Sequence, residues 1–357
     1  MKRKIIAVLM AVAMTVSLAA CGSSPDSGSG SSSSESNESN EKDADDSKDS
    51  ADGQDQEGSG QTADSGKVYN IGICQLVEHE ALDAATKGFK DALIELLGED
   101  KLNFEEQNAQ NEQTNCATIC NGFVSNNVDL ILANATPALQ SASAATNKIP
   151  ILGTSVTDYA TALGMSDFSG TTGTNISGTS DLAPIEQQEA MIRELFPDAK
   201  KVGIIYCSAE PNSKFQAEQM EAALEKDGIS YEEFTASDSN EIQAVVTKAC
   251  SSSDCLYVPT DNTMASSVSL LKDLALQYKM PIVAGEAGIC EGGVATLSIS
   301  YYDLGYATGK MAYEVLVNGA DVSSMEIEYA EATTKRYNKE ICEALGIKIP
   351  QGYEELE

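Results

Sequence analysis

The feature that most constrains the fold is an α/β pattern that occurs twice along the chain. In each half, short apolar segments typical of buried strands alternate with amphipathic segments typical of helices. Gly72 and Gly203 lie in the first strand pattern of each half and are 131 residues apart; KIPIL (148–152) and KMPIV (279–283) have the same offset. Because strands that alternate with helices form parallel sheets covered on both faces, the sequence predicts two doubly wound α/β domains.

The predicted elements follow this repeat. In the first half, strands are predicted at 69–76, 103–109, 128–134 and 149–155, and helices at 81–97, 114–125 and 137–146. In the second half, strands are predicted at 201–207, 229–236, 254–260 and 280–286, and helices at 213–226, 239–250 and 262–278. Beyond it, strands are predicted at 293–300 and 324–330, and helices at 302–318 and 339–345.

The part of the chain from residue 67 onward has about 290 residues, which is long for one hydrophobic core and sufficient for two. We expect a first domain of residues 67–182 and about 300–330, and a second domain of 183–299 and about 331–357. Several strands that cross between them would form a hinge, and hinged domains close around ligands. The expected architecture is two parallel-sheet domains joined by a multi-strand hinge, with a ligand cleft between them.

The N-terminal residues have the order of a secretory signal. A basic start at residues 2–4 precedes an apolar run from Ile5 to Ala20. This run has 16 residues, fewer than the ~20 that span a bilayer as a helix. The segment LAAC (18–21) resembles the bacterial lipobox, which implies cleavage before Cys21 and a diacylglycerol on its sulfur. An ordinary signal peptide with a chance cysteine is the alternative.

Residues 21–66 have the composition of an acidic tether. After Cys21 the segment contains 12 Asp and Glu against two Lys, and it has no aromatic residue and no Ile, Leu or Val. It cannot bury enough apolar surface to offset its ordering entropy, so we expect it to be disordered. The N-terminal part therefore predicts a signal peptide at 1–20 and a body that is lipid-anchored on the extracytoplasmic face of the membrane.

The charge and the cysteines bear on other classes of function. A net charge of −32 argues against nucleic-acid binding, which needs a basic footprint. Cys116 and Cys120 are one helical turn apart, but with one histidine and no CxxC pair in the chain we predict no metal site. We expect free thiols in a low-oxygen habitat, and a set of disulfides is the alternative. Eight cysteines follow Cys21: Cys74, Cys116, Cys120, Cys207, Cys250, Cys255, Cys290 and Cys342.

Candidate ligand contacts come from the strand-to-helix turns. In open parallel sheets, ligands bind outside the carboxyl ends of strands, where helix N-termini attract anions. The polar residues at these turns are Gln75, His79, Thr136, Thr154, Ser155, Asp158, Asp181, Asn212, Ser213, Asp261, Asn262 and Glu286. Their hydroxyl and amide groups suit a carboxylate, and their four acids suit an ammonium. Alternatively each is an ordinary helix cap, as expected for Thr136 before Pro137.

His79 is the only histidine in the chain, which invites a catalytic interpretation. The sequence contains neither a G-x-S-x-G nucleophile motif nor an HExxH motif that could act with it. We therefore expect His79 to line the cleft or to cap a helix, and we predict neither an enzyme nor a cofactor.

Seven segments together resemble the tryptophan/tyrosine-type substrate-binding proteins of bacterial ABC importers. They are GICQLVEHEALDAATKGF, NATPA, TSVTD, SDLAP, EPNS, YVPTDNT and YYDLGYATGKMA, in unbroken order over residues 68–347. The resemblance implies two Rossmann-like lobes of the type I periplasmic-binding-protein kind, and a receptor for aromatic amino acids. The contacts that it implies are Gln75, His79, Thr136, Ser155, Asp158, Asp181, Asn212, Ser213 and Asp261. The chain departs from the family at Glu80, where proline is common, and at AGEAGICEGG (284–293), where Glu286 stands in for an acidic turn.

The function implied by this resemblance is capture of a small zwitterion, an aromatic amino acid, by domain closure. A monomeric lipoprotein would then deliver the ligand to an ABC permease. The alternative is a sensing receptor of the same fold for another amino acid, a sugar or a nucleoside, which signals to a membrane partner. An extracellular hydrolase is a weaker alternative, because the sequence offers no nucleophile and base motif.

Overall fold

The computed structural model describes residues 66–330 and 332–356. The predictions for the signal peptide, for Cys21 and for nearly all of the tether lie outside these residues. Within them, no helix combines the length and the apolar character needed to cross a membrane.

The elements of the first half begin with a strand and alternate regularly. They are β1 (Tyr69–Gln75), α1 (Glu80–Leu97), β2 (Leu102–Asn108), α2 (Gln113–Asn126), β3 (Leu130–Asn134), α3 (Thr136–Ala145), β4 (Ile151–Val156), α4 (Tyr159–Leu163) and β5 (Ile176–Ser180).

The second half repeats this alternation. Its elements are α5 (Ile185–Leu195), β6 (Lys201–Cys207), α6 (Pro211–Lys226), β7 (Ser230–Ala236), α7 (Ile242–Cys250), β8 (Cys255–Val258), α8 (Asn262–Ala265), α9 (Val268–Tyr278), β9 (Ile282–Ala284), α10 (Ala287–Cys290) and β10 (Ala295–Ser298). The C-terminal elements are α11 (Tyr301–Leu316), β11 (Glu328–Tyr329), β12 (Thr334–Tyr337), α12 (Lys339–Leu345) and β13 (Glu354–Glu355).

The strands form two sheets, and this confirms the predicted α/β class with two parallel-dominated sheets. The first sheet has six strands in the order β11-β5-β4-β3-β1-β2, and all its pairs are parallel. The second has seven, in the order β13-β12-β10-β9-β8-β6-β7, with β10 and β12 antiparallel. We call each sheet with its helices the first lobe and the second lobe. The predicted domain boundaries stay a prediction, since all the described residues fall in one compact unit.

The helix α11 belongs to the first lobe although it follows the last parallel strand of the second. It packs against α1 so closely that the backbones touch. A Cβ on Gly305 would lie 1.9 Å from the carbonyl oxygen of Ala85, and one on Gly88 would lie 2.1 Å from that of Tyr302. Only glycine permits this approach. The contact holds the returning chain on the first sheet and so fixes the crossing between the lobes.

Several predicted elements need correction. The helix predicted at 262–278 is divided into α8 and α9, which are separated by Ser266 and Ser267. The strand predicted at 324–330 is reduced to the two residues of β11. Six elements occur where none is predicted: α4, β5, α5, α10, β12 and β13. Of these, β5 has the sequence ISGTS, which contains no apolar run and so was not predicted. It can be buried because its hydroxyl groups are hydrogen-bonded: Thr179 donates to Thr154 at 3.2 Å, and Ser177 donates to the carbonyl of Met325 at 3.1 Å.

The eight cysteines of the described ranges are free thiols. Cys74 on β1 contacts Cys116 and Cys120 on α2 in the core of the first lobe. These thiols and the burial around them raise the pKa of Cys74. The thiols pack as small hydrophobic groups.

Candidate functional site

An enclosed cavity lies between the carboxyl ends of strands from both sheets. Its empty volume is about 260 Å³. The walls are formed by His79, Leu82, Ser155, Thr157, Asp181, Asn212, Thr260, Asp261, Asn262, Glu286 and Tyr301.

Four buried polar atoms on the cavity wall have no hydrogen-bond partner. They are His79 Nδ1, Ser155 Oγ, Asp181 Oδ1 and Asn212 Oδ1. A buried polar atom without a partner costs about 1–3 kcal/mol. Among the described residues, four further atoms of this kind, on Asn134, Thr136, Ser253 and Thr296, lie away from the cavity, so what distinguishes the wall is that four of them occur together. Amide and carboxylate oxygens accept hydrogen bonds only, and a hydroxyl both donates and accepts. The wall is therefore rich in acceptors and is suited to a ligand with several N–H donors.

Asp181 places a negative charge on this wall without a compensating positive charge. Its carboxylate is buried, and among the described residues no cationic side chain forms an ion pair with it. The side chain is 3% exposed, and its Oδ2 accepts a hydrogen bond of 2.9 Å from the hydroxyl of Tyr301. Burial raises the pKa of Asp181, and hydrogen bonds from Thr157 and Tyr301 oppose the shift. A cationic group placed at the free Oδ1 would relieve the cost of burying the charge.

Ser155 reaches the cavity through an irregularity in β4. Its φ of +54° lies in the left-handed region, which non-glycine residues rarely adopt. The pairing of β4 with β5 shifts register between Gly153 and Val156, around this residue. The distortion directs the Ser155 hydroxyl to the cavity wall, and strained backbone of this kind is concentrated at functional sites.

On the second lobe, Glu210 organises the cavity wall from behind. Its carboxylate, 3% exposed, accepts from Asn262 N and Nδ2 at 3.0 and 2.6 Å and from Asn212 Nδ2 at 3.2 Å. It also accepts from Thr263 N and Oγ1 at 2.8 and 2.7 Å. Five donors therefore surround the two oxygens of Glu210, which fixes the N-termini of α6 and α8 relative to each other.

Asp261 and Glu286 are helix caps that also line the cavity. Asp261 accepts from Cys207 N at 2.6 Å and from Met264 N at 2.8 Å, and it caps α8. Burial, and then the charge of Glu210, raise the pKa of Asp261. Glu286 caps α10, and burial raises its pKa to about 7, with smaller contributions from the acids Asp181 and Glu80.

Three hydrogen bonds join the lobes across the cleft. His79 Nε2 lies 3.2 Å from Asn262 Oδ1. Asn111 Nδ2 donates to Thr263 Oγ1 at 3.0 Å, and Gln216 Nε2 lies 3.5 Å from Thr157 Oγ1, at the limit of a hydrogen bond. Burial lowers the pKa of His79. These contacts hold the two lobes in a closed arrangement.

The structure brings seven of the twelve predicted site residues to the cavity: His79, Ser155, Asp181, Asn212, Asp261, Asn262 and Glu286. Ser213 lies directly behind the wall, where its hydroxyl donates to the carbonyl of Thr260 at 3.2 Å. Whether each residue contacts a ligand stays a prediction.

Four predicted residues lie away from the cavity wall. Gln75 donates to Asp83 at 2.6 Å within the first lobe, and Thr154 lies in β4, where it accepts from Thr179. Asp158 caps α4 through Thr161 N at 2.7 Å. The prediction that Thr136 caps α3 is wrong: the cap is Ala135, and Thr136 is the first helical residue.

Two residues that support the cavity wall from behind, Glu210 and Gln216, were not predicted from the sequence. Nor were the lining residues Leu82, Thr157 and Thr260. Glu210 directly precedes Pro211 at the start of α6, and acids are common near helix N-termini, so nothing local distinguishes it from a surface residue. Within the described ranges, no group of three or more His, Cys, Asp or Glu side chains could hold a metal ion.

Comparison with known proteins agrees with this arrangement. A tyrosine-binding protein of Clostridioides difficile (strain R20291) is 38% identical over 288 residues, which cover 80% of this chain and 83% of that protein. The crystal structure of an ABC domain in complex with L-Trp from Streptococcus pneumonia is 36% identical, with a TM-score of 0.76 over 80% of this chain and 97% of that chain.

The ligand-free, open structure of a substrate-binding protein with adhesive properties from Clostridium difficile is 37% identical. Its TM-score is 0.62, with 81% of this chain and 100% of that chain covered. At nearly equal identity, this chain is closer in shape to the ligand-bound structure than to the open one, in agreement with its enclosed cavity.

The family model for ABC transporter substrate-binding proteins matches residues 70–354, nearly the whole of the described part. Proteins of this family act on the extracytoplasmic side together with membrane permeases. Their fold is that of type I periplasmic-binding proteins. The chain belongs to the family of ABC transporter substrate-binding proteins, which bind solutes and are not enzymes.

Proposed function

We propose that this protein captures an aromatic amino acid in the cavity between its lobes and delivers it to an ABC permease. The observation that carries the proposal is the set of four unpartnered polar atoms that line one cavity, of which the oxygens of Asp181 and Asn212 are acceptors and His79 Nδ1 is an acceptor in one tautomer. A zwitterion supplies an ammonium with three donors and a carboxylate with acceptors, and so it matches such a wall.

The ammonium is assigned to the acceptors. Asp181 Oδ1 provides the charge, and Asn212 Oδ1 and His79 Nδ1 provide neutral acceptors. The carboxylate is assigned to the hydroxyl of Ser155, which can donate. Several hydrogen bonds to charged groups, at about 1.5–3 kcal/mol each, are sufficient for micromolar affinity, about 8 kcal/mol.

The aromatic side chain is supported by the relatives. One is named for tyrosine binding, and another was solved with L-Trp. In this chain, Leu82 and the ring of Tyr301 supply apolar surface on the cavity wall. Because residues of both lobes form the cavity wall, we propose that the ligand binds to separated lobes, which then close on it.

The location follows from the same proposal. We propose that residues 1–20 are removed, that Cys21 carries the lipid, and that residues 21–66 tether a monomeric body to the extracytoplasmic face of the membrane. The two lobes, with the boundaries predicted from the sequence, would act as the moving domains. Replacing Cys21 with serine should release the protein from membranes and abolish its labelling by a fatty-acid analogue.

A melting screen tests the ligand directly. The chain has no tryptophan, so the emission of bound L-tryptophan is observed over tyrosine fluorescence alone. A ligand at 100 times its dissociation constant should add about 2.7 kcal/mol to the free energy of unfolding. L-tyrosine, L-tryptophan and L-phenylalanine are compared with L-alanine and with sugars as controls. If none of the three aromatic amino acids changes the melting temperature, the aromatic ligand is wrong.

A further inference from the structure

We propose that Glu210 is a positioning residue that sets the proton position on His79, through the side chain of Asn262. This inference rests on the proposed function, since it assigns the cavity to a ligand. It goes further, because it names a buried residue that does not line the cavity and yet determines which atoms of the wall accept hydrogen bonds.

The first step is the orientation of Asn262. Its Nδ2 lies 2.6 Å from Glu210 Oε2, and five donors converge on this carboxylate. A carboxylate with that surrounding accepts and does not donate, so the amino group of Asn262 must face it. The amide oxygen of Asn262 is then directed to the opposite side, towards the first lobe.

The second step is the proton on His79. Its Nε2 lies 3.2 Å from Asn262 Oδ1, which is only an acceptor, so the hydrogen must be on Nε2. Burial lowers the pKa of the ring and favours the neutral form, which has one proton. Nδ1 is therefore left bare, and it is the buried atom without a partner.

Glu210 orients a second amide in the same way. Asn212 Nδ2 donates to Glu210 at 3.2 Å and to the carbonyl of Thr260 at 3.3 Å. This leaves Asn212 Oδ1 as the unpartnered atom on the cavity wall. One buried carboxylate thus makes acceptors of two cavity groups, and a ligand must bring N–H donors to both.

The consequence is selectivity for an amine. An α-amino acid satisfies both acceptors with its ammonium, whereas the corresponding deaminated acid leaves them without donors. Loss of Glu210 should reduce affinity for the amino acid by about tenfold or more, the size expected when hydrogen bonds to a charged group are lost. It should also reduce the ratio between the affinity for L-tyrosine and the affinity for its deaminated counterpart, 3-(4-hydroxyphenyl)propanoate.

The test uses the single histidine of the chain, which gives one set of imidazole ¹⁵N signals. In the full chain saturated with L-tyrosine, we expect the Nε2–H tautomer. In Glu210→Ala we expect a mixed or reversed tautomer together with the loss of affinity. Glu210→Gln keeps the shape of the side chain and one acceptor, so it should change the His79 tautomer and the affinity in the same direction but by less. This variant replaces Glu210→Ala if Glu210→Ala does not fold.

Glu189→Gln is the matched control. Glu189 is equally buried, at 3% exposure, but it does not line the cavity. Its Oε1 forms an ion pair of 2.7 Å with Nε of Arg193. It should leave the tautomer and the affinity unchanged. A wild-type Nδ1–H tautomer, or an unchanged tautomer in the Glu210 variants, overturns the proposal.

A second readout separates this proposal from the ligand assignment. The bond between Asn262 and Glu210 lies within the second lobe, so the side-chain amide signal of Asn262 is measured without added ligand and identified by its loss in Asn262→Asp. A shift of that signal in Glu210→Ala supports the positioning role even if no aromatic amino acid binds. No shift overturns it even if L-tyrosine binds.

Discussion

The two walls of the cavity satisfy their polar groups in different ways. On the second lobe, Glu210 and Asp261 accept seven hydrogen bonds from groups of their own lobe. On the first lobe and its edge, His79, Ser155 and Asp181 each present an atom without a partner, whereas the second lobe presents one such atom on the cavity wall, Asn212 Oδ1. The second-lobe wall is therefore organised before a ligand arrives except at Asn212, whereas most of the atoms that await a ligand lie on the first-lobe wall.

This difference suggests why closure should depend on a ligand. A wall that is already ordered loses little conformational freedom when it closes. The unpartnered atoms of the other wall are hydrated when the lobes are apart, and closure removes that water at a cost of about 1–3 kcal/mol for each atom. A ligand that supplies the missing partners removes the cost and favours the closed arrangement.

The largest expected effect is on affinity, from Asp181→Asn. This variant keeps the shape and the acceptor for Tyr301 but removes the charge opposite the ligand ammonium. Truncating one partner of a buried charge pair costs about 2–5 kcal/mol, so affinity for L-tyrosine should fall by about 100-fold or more in calorimetric titration.

Asp254→Asn is its control, because Asp254 accepts from Lys200 N and Lys201 N at the opposite end of the sheet. The control should bind as the wild type does. An Asp181→Asn protein that binds within threefold of the wild type would remove Asp181 from the ammonium site.

The next effect is on stability, from Asp261→Ala on the organised wall. Two backbone N–H groups, of Cys207 and Met264, lose their acceptor. Loss of a cap and of its hydrogen bonds should lower the free energy of unfolding by about 2 kcal/mol, measured by urea denaturation without ligand. If stability is unchanged and only affinity falls, Asp261 is a ligand contact and the contrast between the walls is wrong at this residue.

Buried strands that consist of continuous apolar residues could be predicted from the sequence. Buried strands that consist mainly of polar residues could not. β3 and β6 are apolar runs, and they lie where the repeat placed them. β5 is buried but consists mainly of glycine and hydroxyl residues, which resemble a loop until their hydrogen-bond partners are known. Pattern alone cannot supply those partners, since they come from distant parts of the chain.

The same limit applied to the site. Asp261 and Asn212 were predicted because helix starts at strand ends are local features, visible in PTDNT and EPNS. Glu210 was not, because four of its five hydrogen bonds come from residues 52 and 53 positions away. A glutamate before a helix is usually exposed, and only the folded chain buries this one.

A smaller effect is expected from Ser155→Ala on the incomplete wall. The hydroxyl has no partner in the protein, so its removal should not lower the melting temperature without ligand. Loss of one hydrogen bond to the ligand carboxylate, a charged group, should reduce affinity by about 12-fold, about 1.5 kcal/mol. A drop in melting temperature without a change in affinity would show that the hydroxyl stabilises the fold and not the ligand.

The smallest effect concerns pH and Glu286, the second-lobe acid that faces acids of the first lobe. Burial, with Asp181 and Glu80 opposite, raises its pKa from 4.5 to about 7. A raised folded-state pKa means that its contribution to stability is fully present below the ordinary pKa and is lost as pH rises through about 7. Between pH 6 and pH 8, the free energy of unfolding of the wild type should fall by about 1.3 kcal/mol relative to that of Glu286→Gln. Because Asp181 shifts in the same direction, the comparison uses the difference between the two proteins, from urea denaturation at each pH. A difference that does not change with pH would mean that Glu286 is solvated, and the cleft open, in the protein without ligand.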